Sequence, residues 1–199
     1  MRETTIFQGR EIMSLSIDDI VKLFEERGGN QYGGEAVSQL EHALQAATLA
    51  EKASAEPTLV TAALLHDLGH LLHSLGDDPA AQGLDDVHQF IALPFLRKVF
   101  PEAVLAPIRL HVDAKRFLCT VEPGYWEALS PASKRSLQLQ GGAYSPAEAQ
   151  TFMDQPYAPE AVHLRRWDDT AKTSGLATPD ITHFAQAMRA SQLRVEALA

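Results

Sequence analysis

Fifteen residues, TLVTAALLHDLGHLL from Thr58 to Leu72, constrain this chain more than any other part of it. The stretch is apolar almost all round. A helix of that kind has no face to offer water and belongs at the centre of a fold. Yet it carries His66, Asp67 and His70. An ionised carboxylate in such surroundings is costly unless it is paired or coordinated, and a metal ion is the simplest compensation. A lone buried histidine is usually a core residue with a hydrogen-bond partner. The adjacent aspartate shifts the balance toward a metal. Read as one helix, His66 and His70 share a face one turn apart. Neighbouring positions differ by about 100°, so Asp67 reaches the same site only if the helix crosses it or the carboxylate bridges two metals.

The rest of the pattern is helical. Ser16 with Asp19 opens a helix over IVKLFEE, and Gly28-Gly29 stops it. A turn containing Tyr32-Gly33-Gly34 leads to a second helix, from about Glu35 to Ser54. Pro57 starts the central one. The Gly/Asp/Pro-rich segment from Gly76 to Asp85 reads as a loop. A helix from near Asp86 carries His88 and is bent or restarted by Pro94. Pro101 opens a helix with His111 and Lys115. Gly141-Gly142 marks a break, and Ser145 with Glu148 forms a capping box. AVHLRRWDDTAKTSG is amphipathic and ends at Gly175, and a last helix follows Thr178-Pro179. No period-2 strand, internal repeat or low-complexity tract is present. The expectation is one all-α domain over residues 1–199.

Among eight histidines, His42, His66, His70, His88 and His111 recur on successive helices with apolar faces, and Asp168 lies on a late helix. Helical bundles build metal sites in this way, with ligands converging from several helices. His73, His163 and His183 fit no such pattern and read as surface or satisfied. The single cysteine, Cys119, excludes an intrachain disulfide and makes thiolate ligation improbable, which fits a reducing cytoplasm. The net charge of -9 argues against a nucleic-acid partner. MRETTIFQGREI lacks the apolar core of a signal peptide. No apolar run reaches the ~20 residues that span a bilayer.

His42, then LLHDLGH, then Asp168 resembles the HD-domain superfamily, an all-α helical bundle. A narrower likeness spans residues 32–172. YGGEAVSQLEH, AALLHDLGH, HVDAKRFL, LSPASKRSLQLQGG and RRWDDTAK resemble the phosphonate-cleaving HD oxygenases of the PhnZ and TmpB type, relatives of myo-inositol oxygenase. The resemblance implies a mixed-valent Fe(II)/Fe(III) pair. His42, His66, Asp67 and Asp168 would hold one iron, and Asp67, His88 and His111 the other, with Asp67 as the catalytic bridge. Imidazole and carboxylate ligands suit non-haem iron. It further implies O2-dependent C–P cleavage of a 1-hydroxy-2-(amino or trimethylammonio)ethylphosphonate, giving glycine or glycine betaine and phosphate. A substrate-making hydroxylase would be a pathway neighbour.

Lys115, one turn after His111, and Arg165, one turn before Asp168, suit an oxyanion. Ser133 and Ser136 could donate hydroxyls to it. By the resemblance His70 contacts substrate, Glu35 meets the ammonium end, and Tyr32 is a lid that occupies the iron when substrate is absent. A trimethylammonium group would gain from an aromatic cage, with Tyr32, Phe117, Tyr125 and Trp126 as candidate walls. Three other readings compete: an HD-type phosphohydrolase of nucleotides or phosphate esters, a polyol oxygenase, and a non-catalytic module that binds a small anion. The first needs only one metal, to activate water.

Overall fold

The computed structural model describes residues 14–193 other than 74, 76 and 77, so the amino-terminal segment read above for a leader lies outside the described residues. Twelve helices are described: α1 Ile17–Arg27, α2 Gln39–Lys52, α3 Pro57–Leu65, α4 Gly69–Leu72, α5 His88–Ile91, α6 Leu93–Leu96, α7 Glu102–Val121, α8 Tyr125–Ala128, α9 Pro131–Leu139, α10 Pro146–Met153, α11 Ala158–Thr170 and α12 Ile181–Ala190. A short 3-10 turn, Ala80–Gln82, lies between α4 and α5. Among the described residues the only β-type pairing is an isolated bridge between Gln31 and Ser38. The all-α expectation holds.

Several helices start and stop where the sequence says. Ser16 and Asp19, and Ser145 and Glu148, form reciprocal capping boxes at α1 and α10. Two boundaries differ. The second helix begins at Gln39 rather than Glu35, because Ser38 and Glu41 form its capping box and leave residues 35–37 in the preceding turn. The helix bearing Asp168 ends at Thr170 rather than running to Gly175.

The central segment is not one helix. α3 ends at Leu65, and the chain crosses residues 66–68 in turns before α4 begins. Leu68, His70 and Leu71 donate their N–H groups three residues back, to Leu65, Asp67 and Leu68, at 3.0 Å each. The ladder has tightened from the i→i−4 to the i→i−3 pattern. The expected His66–His70 stripe on a continuous helix is therefore corrected: the two rings serve different neighbours.

α3 sits between α2, α7 and α12, and α11 packs on both α2 and α7. Their common core includes Ile20, Phe24, Leu64, Leu65, Leu68, Leu96, Ile108 and Leu164. Burying each Leu or Ile side chain contributes about 1.5–3 kcal/mol. α2 faces α3 with Ala43, Ala46, Ala47 and Ala50 against Ala62 and Ala63, all buried. Such small side chains let the two helices approach closely, and His42 and His66 extend from that seam. A smaller cluster, Leu110, Ala114, Phe152, Ala158 and Ala161, closes α7 against α10 and α11.

Two backbone features lie at the approach to α5. Val87 is left-handed, with φ 46° and ψ 32°. A β-branched residue held there costs on the order of 1–3 kcal/mol. Gly69 lies against the backbone of residue 88: a Cβ on it would stand 2.1 Å from the His88 carbonyl oxygen.

Candidate metal centre

Six side chains converge where α2, the α3–α4 turn, α5, α7 and α11 meet. Asp67 is their hub. Its Oδ2 lies 3.4 Å from His66 Nε2 and 3.6 Å from His42 Nε2. Its Oδ1 lies 3.3 Å from His88 Nε2 and 3.5 Å from His111 Nε2. Each oxygen thus faces its own histidine pair. Asp168 joins the first group, with Oδ1 3.5 Å from His42 Nε2 and Oδ2 3.8 Å from His66 Nε2. His42, His66 and Asp168 form one set of converging donor atoms; Asp67, His88 and His111 form another. All six residues are buried.

The far sides of the rings fix which nitrogen points inward. His42 Nδ1 is 2.9 Å from the Ala171 carbonyl, His66 Nδ1 2.8 Å from that of Ala63, and His111 Nδ1 2.7 Å from that of Ile108. His88 Nδ1 is 2.8 Å from Asp86 Oδ1. An acceptor at Nδ1 requires the proton there and leaves the Nε2 lone pair free for a metal. The early end of α11 is what turns the Ala171 carbonyl toward His42.

These residues fit metal ions. Asp67 Oδ1 is buried and has no hydrogen-bond partner. His42 Nε2 and His66 Nε2 stand 3.2 Å apart, and His88 Nε2 and His111 Nε2 3.1 Å apart. Two imidazoles bound at right angles to one cation with bonds of about 2.1 Å place their nitrogens about 3.0 Å apart. With Nδ1 protonated on each ring, facing Nε2 lone pairs at that spacing repel unless a metal ion or a shared proton lies between them. Burial drops His42 to about 4 and holds His111 well below the ordinary imidazole value. Burial also opposes charge on His66, but the Asp67 carboxylate outweighs it and lifts His66 to about 9. Burial opposes ionisation of Asp67 too, yet His66 and His88 hold it well below the usual carboxylate range.

Beside the cluster a pocket opens to solvent, with about 680 Å³ of empty space when its open mouth is counted. Its walls include all seven residues read as substrate contacts: Tyr32, Glu35, His70, Lys115, Ser133, Ser136 and Arg165. Tyr32 stacks on His42 with ring centres 3.9 Å apart, and its hydroxyl lies 3.5 Å from Asp168 Oδ1. Lys115 donates to Ser136 Oγ at 2.9 Å. Arg165 is 3% exposed and forms an ion pair with Asp168 Oδ2 at 2.7 Å. It also pairs with Asp169, and its Nε lies 3.3 Å from the Tyr125 hydroxyl.

Three residues that the sequence reading passed over matter here. Asp86 is buried and engages His70, His73 and His88. Lys172 reaches Glu35 Oε1 and Ser133 Oγ, both at 3.0 Å. Ser130 donates to the same Glu35 oxygen. Glu35 is therefore already paired. The proposed aromatic cage is not assembled: of its four candidate walls only Tyr32 lines the pocket. Phe117 packs on Phe152, Tyr125 bonds Asp169, and Trp126 is half exposed beneath Lys134. The histidines set aside behave as expected. His73 is satisfied by Asp86, while the exposed His163 stacks on Trp167 and the exposed His183 pairs with Glu51.

An all-helical bundle with buried His/Asp groups on successive helices defines a metal-dependent protein of the HD type, and the HD-domain profile matches residues 40–137. A hydroxymethylphosphonate dioxygenase from Gimesia maris is 42% identical over 87% of this chain and 90% of its own length. A [1-hydroxy-2-(trimethylamino)ethyl]phosphonate dioxygenase (glycine-betaine-forming) from Leisingera caerulea is 36% identical over 85% of this chain and 86% of its own. An uncharacterized protein of Acanthamoeba polyphaga mimivirus is 34% identical over 87% and 80%. The chain belongs to the HD-domain family that contains these dioxygenases, and it is an oxygenase. Among the described residues no helix is long and apolar enough to cross a membrane.

Proposed function

We propose that this enzyme cleaves the C–P bond of a small 1-hydroxyalkylphosphonate with O2, giving a carboxylate and phosphate. The reaction balances without an external reductant: R–CH(OH)–PO3(2−) + O2 gives R–COO(−), HPO4(2−) and a proton. The observation that carries the reading is Asp67, whose two oxygens each face a separate histidine pair. A hydrolase can work with one metal position, to activate water, or with two; donors for two positions together with the likeness to phosphonate dioxygenases favour the oxygenase. His42, His66, Asp67 and Asp168 would hold one iron, and Asp67, His88 and His111 the other. Bound there as a mixed-valent Fe(II)/Fe(III) pair, the irons supply a docking point for substrate oxygens and the redox chemistry of O2.

The protein's own part is binding and orientation. Lys115 and Arg165 offer two cationic donors on one side of the pocket, suited to a tetrahedral dianion. Two carboxylates hold the Arg165 fork in place at the pocket wall. Ser133 and Ser136 add hydroxyls. Tyr32 lines the pocket together with the hub carboxylate Asp67, and its stacked position on His42 suits a group that yields when substrate binds. Burial, reinforced by Asp168 and Asp67, raises the Tyr32 phenol well above its ordinary value and keeps it neutral.

For the far end of the substrate, a primary amine would meet Glu35 and give glycine. A trimethylammonium group, giving glycine betaine, has the same carboxylate but no aromatic cage to favour it. Hydroxymethylphosphonate needs neither. The hydroxyl on the reacting carbon calls for a preceding hydroxylase.

The test is direct. Protein loaded anaerobically with Fe(II) receives hydroxymethylphosphonate or 1-hydroxy-2-aminoethylphosphonate, and O2 uptake is followed beside phosphate release. The two should rise in equal amounts, and chelation of iron should abolish both and lower the melting temperature. Equal phosphate release without O2 would replace this reading with hydrolysis.

A further inference from the structure

We infer that Asp86 is the positioning residue that sets the second metal position, by fixing His88 and His70 with one carboxylate. The inference rests on the two-metal reading.

Both Asp86 oxygens are fully used. Oδ1 accepts from His88 Nδ1 at 2.8 Å and from the His88 backbone N–H at 3.4 Å. Oδ2 stands 2.8 Å from His70 Nδ1, at ion-pair distance, and accepts from His73 Nε2 at 3.2 Å. The other three ligand imidazoles lean on neutral backbone carbonyls. His88 alone leans on an anion. A carboxylate behind the ring fixes its tautomer and orientation and raises the basicity of the nitrogen that faces the metal.

The same carboxylate aligns His70 with His88. Their rings stack at 4.2 Å with 24° between planes. His70 Nε2 is thereby left 4.0 Å from Asp67 Oδ2, at the wall of the pocket. The backbone is shaped for the arrangement. Left-handed Val87 lies between Asp86 and His88 in the curl that brings the carboxylate onto the imidazole two residues on. Gly69, in contact with the His88 backbone, holds that curl against the Asp67 turn. One buried side chain therefore links a metal-facing histidine to a substrate-facing one.

The experiment compares wild type, Asp86→Asn and Asp86→Ala under anaerobic Fe(II) titration. Iron per chain is measured after gel filtration, and the electron paramagnetic resonance of the partly oxidised samples reports magnetic coupling between two irons. Asn can accept from one imidazole but presents N–H groups to the other, which is itself a donor. Wild type should bind two irons. The variants should bind the first iron with unchanged affinity and the second 10- to 100-fold more weakly, with the coupled signal lost in step. His73→Gln, which removes only the outer contact, should still bind two. Asp86→Asn, nearly isosteric, carries the test if Asp86→Ala fails to fold. Two irons bound with wild-type affinities in Asp86→Asn would overturn the proposal, as would equal weakening of both. A wild type that binds a single iron would instead remove the two-metal reading beneath it.

Discussion

Lys115 should take up a proton when the phosphonate binds. Lys115 is 2% exposed, and its pKa is drawn from 10.5 down to about 7, chiefly by burial and next by the Arg165 guanidinium. Lys172 adds to the fall, while Asp168 and Asp169 oppose it. At pH 8.5 only about 3% of free Lys115 carries its proton. A phosphonate dianion against it supplies the missing counter-charge. Full recovery of the ordinary value would be ~3.5 units, an upper bound of about 5 kcal/mol. Binding of the dianion at pH 8.5 should therefore absorb close to one proton, whereas at pH 6 Lys115 takes up almost none and the phosphonate, then largely a monoanion, gives one up. Above about pH 8, where the phosphonate is fully dianionic, affinity should weaken about tenfold per unit. Isothermal titration with methylphosphonate, which lacks the reacting hydroxyl, reads the uptake as a dependence of heat on buffer ionisation enthalpy. Lys115→Met should erase it. The stability sign is also set. Between about 7 and 10.5 the unfolded chain holds the Lys115 proton more than the folded one does, so this residue makes ligand-free stability rise with pH across that window. Binding heats independent of buffer at pH 8.5, or uptake unchanged in Lys115→Met, would refute the argument.

Two further outcomes follow from single contacts. Gly69→Ala would set a Cβ 2.1 Å from the His88 carbonyl oxygen, 1.3 Å inside the 3.4 Å at which ordinary contact begins, so the backbone around His88 must move. That should cost about 1–3 kcal/mol, seen as a melting point several degrees lower, and titration should show the second iron weakened before the first, since ligand distances tolerate only about 0.2 Å. Lys172→Met removes the cation that already occupies Glu35. The kcat/KM ratio for 1-hydroxy-2-aminoethylphosphonate over hydroxymethylphosphonate should rise by about tenfold, as a like charge leaves the ammonium's path; an unchanged ratio means the ammonium does not approach Glu35.

The converging residues were readable in the sequence, and the parts that hold them were only partly so. His42, His66, Asp67, His88, His111 and Asp168 are conspicuous because buried helices rarely carry such side chains without a use for them. Asp86 is not conspicuous. It sits beside Asp85 at the end of a polar loop, where an aspartate is ordinary, and only the fold brings it under three histidines. Lys172 follows a helix end, where lysine is ordinary too. Ser38-x-x-Glu41 is a start signal of the same kind as Ser16-x-x-Asp19 and is legible by the same rule.

The largest gap between pattern and structure lies in the motif that first pointed to a metal. On a continuous helix His66 and Asp67 diverge, and His66 and His70 coincide. The chain reverses that outcome by tightening after Leu65, where hydrogen bonds run three residues back instead of four. Asp67 can then swing into the seam that His66 enters from α3, while His70 turns away to Asp86. Apolar periodicity does not register this change, because Leu64, Leu65, Leu68 and Leu71 stay buried throughout. Gly69 is the local mark of it. A side chain there would strike the His88 backbone, so a glycine two residues after the aspartate is what lets the two halves of the centre close on a single carboxylate.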